Sequence, residues 1–310
     1  MWHKLEYGII IGERIIIMFA ILLIGAFCYI KGLITKNGTK QFSAIELNLV
    51  NPILIFMSYQ KDYNSKMTHN LLWAFVLSAI SFAIAIALSY LLVSNKNKSY
   101  VIERFSSIYS NCGFIGIPLI NGIFGSEGVL YLTAYVTFFN LLVWTHGIMS
   151  MKGQKDFSSI LKAFKSASVI AVFIGLACYM LKLRLPAVPS QTLQYIADMN
   201  TPLAMLIAGA TTAQTNVLNI LKKPRNYLIC FYKLLFIPLI AFMVIRLFHL
   251  PQIVTATLTI AAACPVATTG IMFAVTLDKD AEKCSELFSM STLLSALTLP
   301  IITIIATTFS

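Results

Sequence analysis

The chain has 310 residues, of which 58% are hydrophobic and only 11% charged, with a mean hydropathy of +0.81. Soluble domains carry about a quarter charged residues, so the composition excludes a soluble globular protein and leaves a polytopic helical membrane protein in contact with the lipid bilayer. The net charge of +11 does not point to nucleic acid, because the basic residues fall in short connections between apolar runs rather than in one patch.

Apolar runs long enough to cross a hydrocarbon core of about 30 Å recur at 9–30, 41–60, 70–93, 101–124, 128–150, 166–183, 191–212, 227–248, 253–277 and 284–308. The first is too long for a signal-peptide core and lacks a small-residue cleavage site, so it reads as a first transmembrane helix. Sixteen of the 23 basic residues fall on one side of this ten-segment arrangement and seven on the other. Basic residues stay on the cytoplasmic side. The bias predicts a multi-pass protein of the cell (plasma) membrane with both termini outside and the 150–165 connection in the cytoplasm. Cys28, Cys112, Cys178, Cys230, Cys264 and Cys284 lie singly, in no CxxC or Cys/His cluster, and read as small buried residues rather than disulfides or metal ligands.

The pattern repeats. Asn51-Pro52 in the second segment is echoed by Asn200-Thr201-Pro202 in the seventh, and Pro118 in the fourth by Pro265 in the ninth. The halves 1–150 and 151–310 then hold five segments each. Because five is odd, the second half enters the membrane from the opposite side. The predicted fold is all-α, ten transmembrane helices arranged as a 5+5 inverted repeat, with helices 4 and 9 broken and crossing. Inverted repeats with interrupted helices at matching places mark a transporter's binding site.

The stretch "SNCGFIGIPLING" (110–122) puts Gly113, Gly116 and Pro118 inside a segment that must span lipid. Proline removes an amide hydrogen and crowds the preceding turn, and glycine lowers the cost of leaving helical geometry. Together they predict an unwound centre to the fourth segment. "AAACPVATTG" around Pro265 predicts the same in the ninth. Crossing breaks would bring two half-helix N-termini together, a site suited to a small anion such as a carboxylate. A scarcity of fixed cations deep in the segments is consistent with that.

"NCGFIGIPLINGIFG" (111–125), an asparagine followed five residues later by Gly-x-Pro-Leu, resembles the fourth-span motif of the auxin efflux carrier family. "CPVATTGIMFAVTLDKDAEKCSELFSMSTLLSALTLP" (264–300) resembles its ninth and tenth spans. With the ten-span layout, the resemblance covers essentially the whole chain. It implies a secondary carrier of organic anions with a fold similar to the bile-acid/sodium symporters. Spans 1, 2, 6 and 7 (9–60 and 166–212) would form a scaffold, and spans 3–5 and 8–10 (70–150 and 227–308) a transport domain that moves as an elevator. It also suggests a homodimer through the scaffold helices. By position, Asn111 matches the family's substrate-contacting asparagine, Gly116 and Pro118 its first break, and Pro265 its second. Ser110 stands where plant members carry proline, and the long loop of many plant members is reduced to 150–165. Both departures favour a compact bacterial-type carrier over an auxin carrier.

The substrate-binding candidates are Asn111, Cys112, Gly113, Gly116, Pro118, Pro265, Val266, Thr268 and Thr269, with Asn51 and Asn140. Asn48 and Asn51, three apart, are expected on one helix face. Glu46 and Asp198 are candidates for binding a coupling H+ or Na+, since ionisable groups at depth are functional by default; no other cofactor is expected. Ser291, Thr292 and Ser295 read as inward-facing, as packing before interhelical hydrogen bonding, His146 as a solvated histidine, and "DKDAEK" (278–283) as a solvated connection. No HExxH helix, phosphate loop, nucleophile elbow or acidic metal cluster is present, which argues against an enzyme. The competing classes are an anion channel and a ligand-binding membrane sensor. The chain has neither rings of pore-lining charge nor an output domain.

Overall fold

The computed structural model describes residues 2–96, 99–153, 165–215 and 220–309. Most of the basic 150–165 connection, with Lys155 and Lys162, lies outside the described residues, as does Lys98.

Every described element is helical, as lipid requires of a chain that must pair its own backbone groups. In order they are α1 (Trp2–Ile30), α2 (Lys36–Ile45), α3 (Asn51–Ser58), α4 (Ser65–Leu92), α5 (Tyr100–Ile108), α6 (Ile117–Leu142), α7 (Ile148–Lys152), α8 (Ala167–Met180), α9 (Ala187–Asp198), α10 (Asn200–Thr212), α11 (Pro224–Phe231), α12 (Ile237–Arg246), α13 (Gln252–Ala263), α14 (Thr269–Thr276) and α15 (Ala281–Thr308). Side chains start several of them in the expected way: Thr35 Oγ1 accepts from the Gly38 amide, Asn64 Oδ1 from those of Lys66 and Met67, and Asp280 Oδ1 from that of Lys283. Among the described residues, four helical stretches are long and apolar enough to cross a membrane: Ser65–Leu92, Cys112–Lys152, Pro224–Arg246 and Ala281–Thr308. Ile16–Ile30, Ala167–Met180 and Gln252–Ala263 are shorter apolar helices. The stretch Cys112–Lys152 does not run straight. Gly125, at φ 62° and ψ −158°, breaks it into two helices with a conformation that glycine alone adopts readily.

Four π-helical turns join these pieces: Glu46–Val50, Cys112–Gly116, Val143–Gly147 and Tyr232–Phe236. Three of them end two residues before a proline: Pro52, Pro118 and Pro238. The proline ring crowds the carbonyl four residues back, and the turn before it widens to an i→i+5 pattern instead of breaking. Each widening rotates the following face and admits a polar side chain to the interior.

The helix contacts fall into two sets, which also touch each other where α1 and α3 lie against α6 and α1 against α15. In one, α1 lies against α10, and α3 against α8 and α9. Gly209 and Gly25 make the first contact possible. A Cβ on Gly209 would stand 1.8 Å from the Leu22 carbonyl oxygen, and one on Gly25 would stand 2.3 Å from that of Leu206. This is the small-residue packing by which membrane helices associate. Gly175 of α8 likewise receives the ring of Tyr59. In the other group, α4 packs on α6 and α12, and α13 on α6, α12 and α15. One end of this group is tied by a buried ionic cluster. Glu103 of α5, fully buried, accepts three bonds from the Arg225 guanidinium of α11 (2.8 to 3.2 Å). Lys283 bonds Asn226 at 2.7 Å, and Glu286 of α15 accepts from Asn226 and Lys223. The connection 278–283 is therefore solvated at Asp278, Lys279 and Asp280 but anchored at Lys283.

Replacing Gly209 with valine forces α1 away from α10, because backbone rather than a flexible side chain blocks the space. We expect a stability loss of about 1–3 kcal/mol or more, visible as a lower midpoint in thermal unfolding of the detergent-purified protein. An unchanged midpoint would show that the contact is not a packing constraint.

Candidate functional site

Two helices break at the same place and cross there. α5 ends at Ile108 and its continuation starts at Cys112; α13 ends at Ala263 and α14 starts at Thr269. The open segments pair as an isolated antiparallel bridge between Ser110 and Val266. The Asn111 amide donates to the Pro265 carbonyl at 2.7 Å, and the Ala267 amide to the Tyr109 carbonyl at 3.0 Å. The Val266 amide donates to Ser291 Oγ of α15 at 3.0 Å. Gly116 permits the approach: a Cβ there would stand 3.2 Å from Cys264 Sγ and 3.4 Å from Cys112 Cβ. Gly270 does the same beside Phe105, whose ring carbon would stand 2.8 Å from an added Cβ.

The first break lies upstream of where proline and glycine alone would put it. Pro118 sits in the first turn of α6 and widens the preceding turn into the π segment. The unwinding falls at Tyr109–Asn111, where Pro265 and Ala267 supply the missing backbone partners.

At the start of the resumed helix, Asn111 caps with Oδ1 accepting from the Phe114 amide at 3.4 Å. Its Nδ2, buried, has no hydrogen-bond partner among the described residues, and the same holds for Thr269 Oγ1 at the start of α14. The first-turn amides of Cys112 and Gly113 have no intrahelical acceptor by geometry. Two half-helix N-termini thus present donors at the crossing.

A cation also stands there, contrary to the expectation of few fixed charges at depth. Lys233 sits on the π turn between α11 and α12, is 1% exposed, and donates to Ser110 Oγ at 2.5 Å and to the Ala262 carbonyl at 3.0 Å. The sequence counts it among the sixteen basic residues of one side, although it lies six residues into the apolar run 227–248. The helix that starts at Pro224 carries it about nine residues inward, roughly 13 Å.

Next to the crossing lies a carboxyl–amide cluster. Asn200 Nδ2 donates to Glu46 Oε1 at 2.6 Å and to Asn51 Oδ1. Glu46 is fully buried, and its Oε2 has no partner among the described residues. Asn51 faces the break: a Cβ on Gly113 would stand 3.9 Å from Asn51 Nδ2. The expectation that Asn48 shares a face with Asn51 fails. The π turn brings Glu46, five residues before Asn51, onto the buried face, while Asn48 turns outward and bonds the Ala44 carbonyl.

The remaining candidates fall as follows. Thr268 stands at the N-cap position of α14 without a side-chain capping bond and is half-buried; Val266 uses its amide on Ser291. Asn140 is not brought to the crossing set, since its amide bonds the Val136 carbonyl and its oxygen accepts from Ser166. Asp198 is exposed and bound by Gln194 at 2.7 Å, away from the cluster that Asn200, two residues on, joins. His146 is half-buried and bonded to Tyr109 at the break (2.9 Å) and to Tyr90, rather than free in solvent. Ser291, Thr292 and Ser295 all face inward; Ser291 bonds across helices, Ser295 bonds within its own helix, and Thr292 Oγ1 is buried without a partner among the described residues. Lys233 and Asn200 were absent from the candidates. The echo of Asn51-Pro52 in Asn200-Thr201-Pro202 was the signal for the second; Pro238, five residues beyond Lys233, was the signal for the first.

Removing the Ser291 hydroxyl leaves the Val266 amide unpaired inside the bilayer. Ser291→Ala should lower stability by about 1–3 kcal/mol, read as a fall in the thermal midpoint, while a distant Ser43→Ala on α2 leaves it unchanged. Equal midpoints for both would mean that this bond does not hold the break.

A family model described as membrane transport protein matches residues 10–164 and 154–303. The chain is 25% identical to an uncharacterized transporter of Methanocaldococcus jannaschii over 64% of this chain and 67% of that protein. It is 22% identical to an uncharacterized transporter of Methanothermobacter thermautotrophicus over 93% of this chain and 96% of that one. With apolar helices throughout and a match that runs almost end to end, the chain belongs to the membrane transport protein family, that of the auxin efflux carriers.

Proposed function

We propose that this membrane transporter is a secondary active permease that moves a small organic anion, a mono- or dicarboxylate, across the cell membrane. The observation that carries the reading is the crossing itself. Two half-helix N-termini flank one buried bridge, with the unpartnered Asn111 amide nitrogen on one and the unpartnered Thr269 hydroxyl on the other. Donors without acceptors at helix N-termini favour a negative guest, and a carboxylate offers two oxygens to them.

An inverted repeat of five and five spans accounts for the contacts. One echoed pair meets directly, Asn51 with Asn200, and the two broken segments meet at Ser110 and Val266. The group of α1, α2, α3, α8, α9 and α10 forms the scaffold, and the group carrying both breaks moves against it as an elevator. Gly113 beside Asn51 lies on that sliding contact. The outer face of α1, with Ile16, Leu23, Ile24 and Phe27 exposed, meets lipid or a second copy in a scaffold-mediated homodimer. The basic bias places both termini outside. Glu46 is the coupling group: a buried carboxyl with one free oxygen, linked through Asn200 and Asn51 to the site, takes up and releases a proton as the site changes sides.

Uptake by proteoliposomes from a panel of radiolabelled mono- and dicarboxylates tests this. We expect saturable, substrate-specific flux that a pH gradient drives. Asn111→Ala should reduce it about 10–100-fold, the loss of one hydrogen bond to a charged group, with expression intact. Glu46→Gln should retain exchange but lose its response to the pH gradient. No saturable flux of any anion sinks the transporter reading, and binding without flux assigns the site to a sensor instead. Conductance far above carrier turnover assigns it to a channel.

A further inference from the structure

We propose that Lys233 is the resident cation of the crossing. Its ammonium stands where the two first-half helices end and does the work of a bound alkali ion, so the protein binds no such ion there. This deepens the transporter reading by naming the cation of its site, and its test uses no substrate.

The argument begins with the ends of helices. The last carbonyls of a helix have no intrahelical donor and carry a partial negative charge of about half an electron. α5 and α13 both end at the crossing, so two such ends meet in a medium without water. Discontinuous transporter helices meet this demand with a coordinated sodium ion or proton carrier at exposed carbonyls and half-helix C-termini. Here the Lys233 ammonium occupies that position. Its two acceptors come one from each break: Ser110 Oγ at 2.5 Å, two residues beyond α5, and the Ala262 carbonyl at 3.0 Å, in the last turn of α13. Ser110 Oγ also donates to the Ala262 carbonyl at 3.0 Å. The ammonium and these two oxygens close a three-membered ring of hydrogen bonds. Among the described residues, no carboxylate lies within ion-pair distance of Lys233. Glu103 and Glu286 are engaged with Arg225 and Lys223 at the end of the same group. The compensation for a fully buried charge therefore comes from oxygens and helix ends, as it does for a bound metal ion.

The consequence is a division of the crossing. The C-terminal ends are neutralised by a cation tethered to the chain. The N-terminal ends, with Asn111, Cys112, Gly113 and Thr269, remain for the anion. A tethered ammonium travels with the moving group and needs no ion from either side, so coupling rests elsewhere.

Wild type, Lys233→Ala and Lys233→Met, purified in detergent, would be compared in sodium, methylammonium and choline chloride at equal ionic strength, by thermal unfolding and by 22Na+ binding. Truncation to alanine leaves a hole lined by Ser110 Oγ and the Ala262 carbonyl, which sodium or methylammonium can fill and choline cannot. Methionine fills the hole without charge. We expect wild type to be indifferent to the salt and to bind no sodium. The alanine variant should bind 22Na+ saturably and gain about 2 °C or more in midpoint from sodium or methylammonium over choline. The methionine variant should show neither effect. Folding of the alanine variant in sodium or methylammonium but not in choline counts equally in favour. Saturable sodium binding by wild type, or an alanine variant that responds to no cation or fails to fold in all three salts while methionine folds, overturns the proposal. Failure here leaves the uptake experiment untouched, because no anion enters the measurement.

Discussion

Two exchanged backbone hydrogen bonds, Asn111 to Pro265 and Ala267 to Tyr109, hold the rest of the arrangement in place. Inside a bilayer an unpaired amide or carbonyl costs several kcal/mol, so a helix can open only where something replaces its lost partners. Each break is the replacement for the other. Neither could form alone at this depth, and their meeting point is therefore set as tightly as a strand register. Ser291 and Lys233 complete the pairing from neighbouring helices, one accepting from Val266 and the other donating to Ala262.

Around that crossing the chain distributes its polar groups by one repeated device. A proline two residues past a π turn appears at Pro52, Pro118 and Pro238, and each turn brings an element of the candidate site to the interior: Glu46 with Asn51, the resumed helix after Asn111, and Lys233. The widened turn keeps its backbone bonds while changing which side chains face inward. Polar chemistry thus enters an apolar bundle without a gap in the hydrogen-bond ladder, which a simple proline kink would leave.

The polar centres divide the work. The Glu103–Arg225 and Glu286–Lys223 pairs lie at one end and bind α5, α11 and α15 into a unit. Burying such ions gains little net stability, but breaking one partner of a pair is costly, so the helices around the crossing stay in one relative position. The Glu46–Asn200–Asn51 cluster belongs to the other helix group and approaches the break beside Gly113. The ionic pairs thus lie inside one group, while hydroxyl and amide bonds, Tyr59 with Thr133, Ser166 with Asn140 and Thr215 with Ser289, join the two groups.

Much of this was legible in the chain. Composition gave the membrane, runs of apolar residues gave the helices, and Gly113, Gly116, Pro118 and Pro265 pointed to two interrupted segments, because proline and glycine act locally on the backbone. The position of the opening at Tyr109–Asn111 was not legible, since it depends on a partner more than 150 residues away. Nor were the π turns: a periodicity of 3.6 put Asn48 beside Asn51, while the real turn put Glu46 there and left Asp198 outside. Lys233 reads in one dimension as a charge near a connection. Only the tertiary structure decides that it is buried against two helix ends, because burial is a property of neighbours that local pattern does not carry.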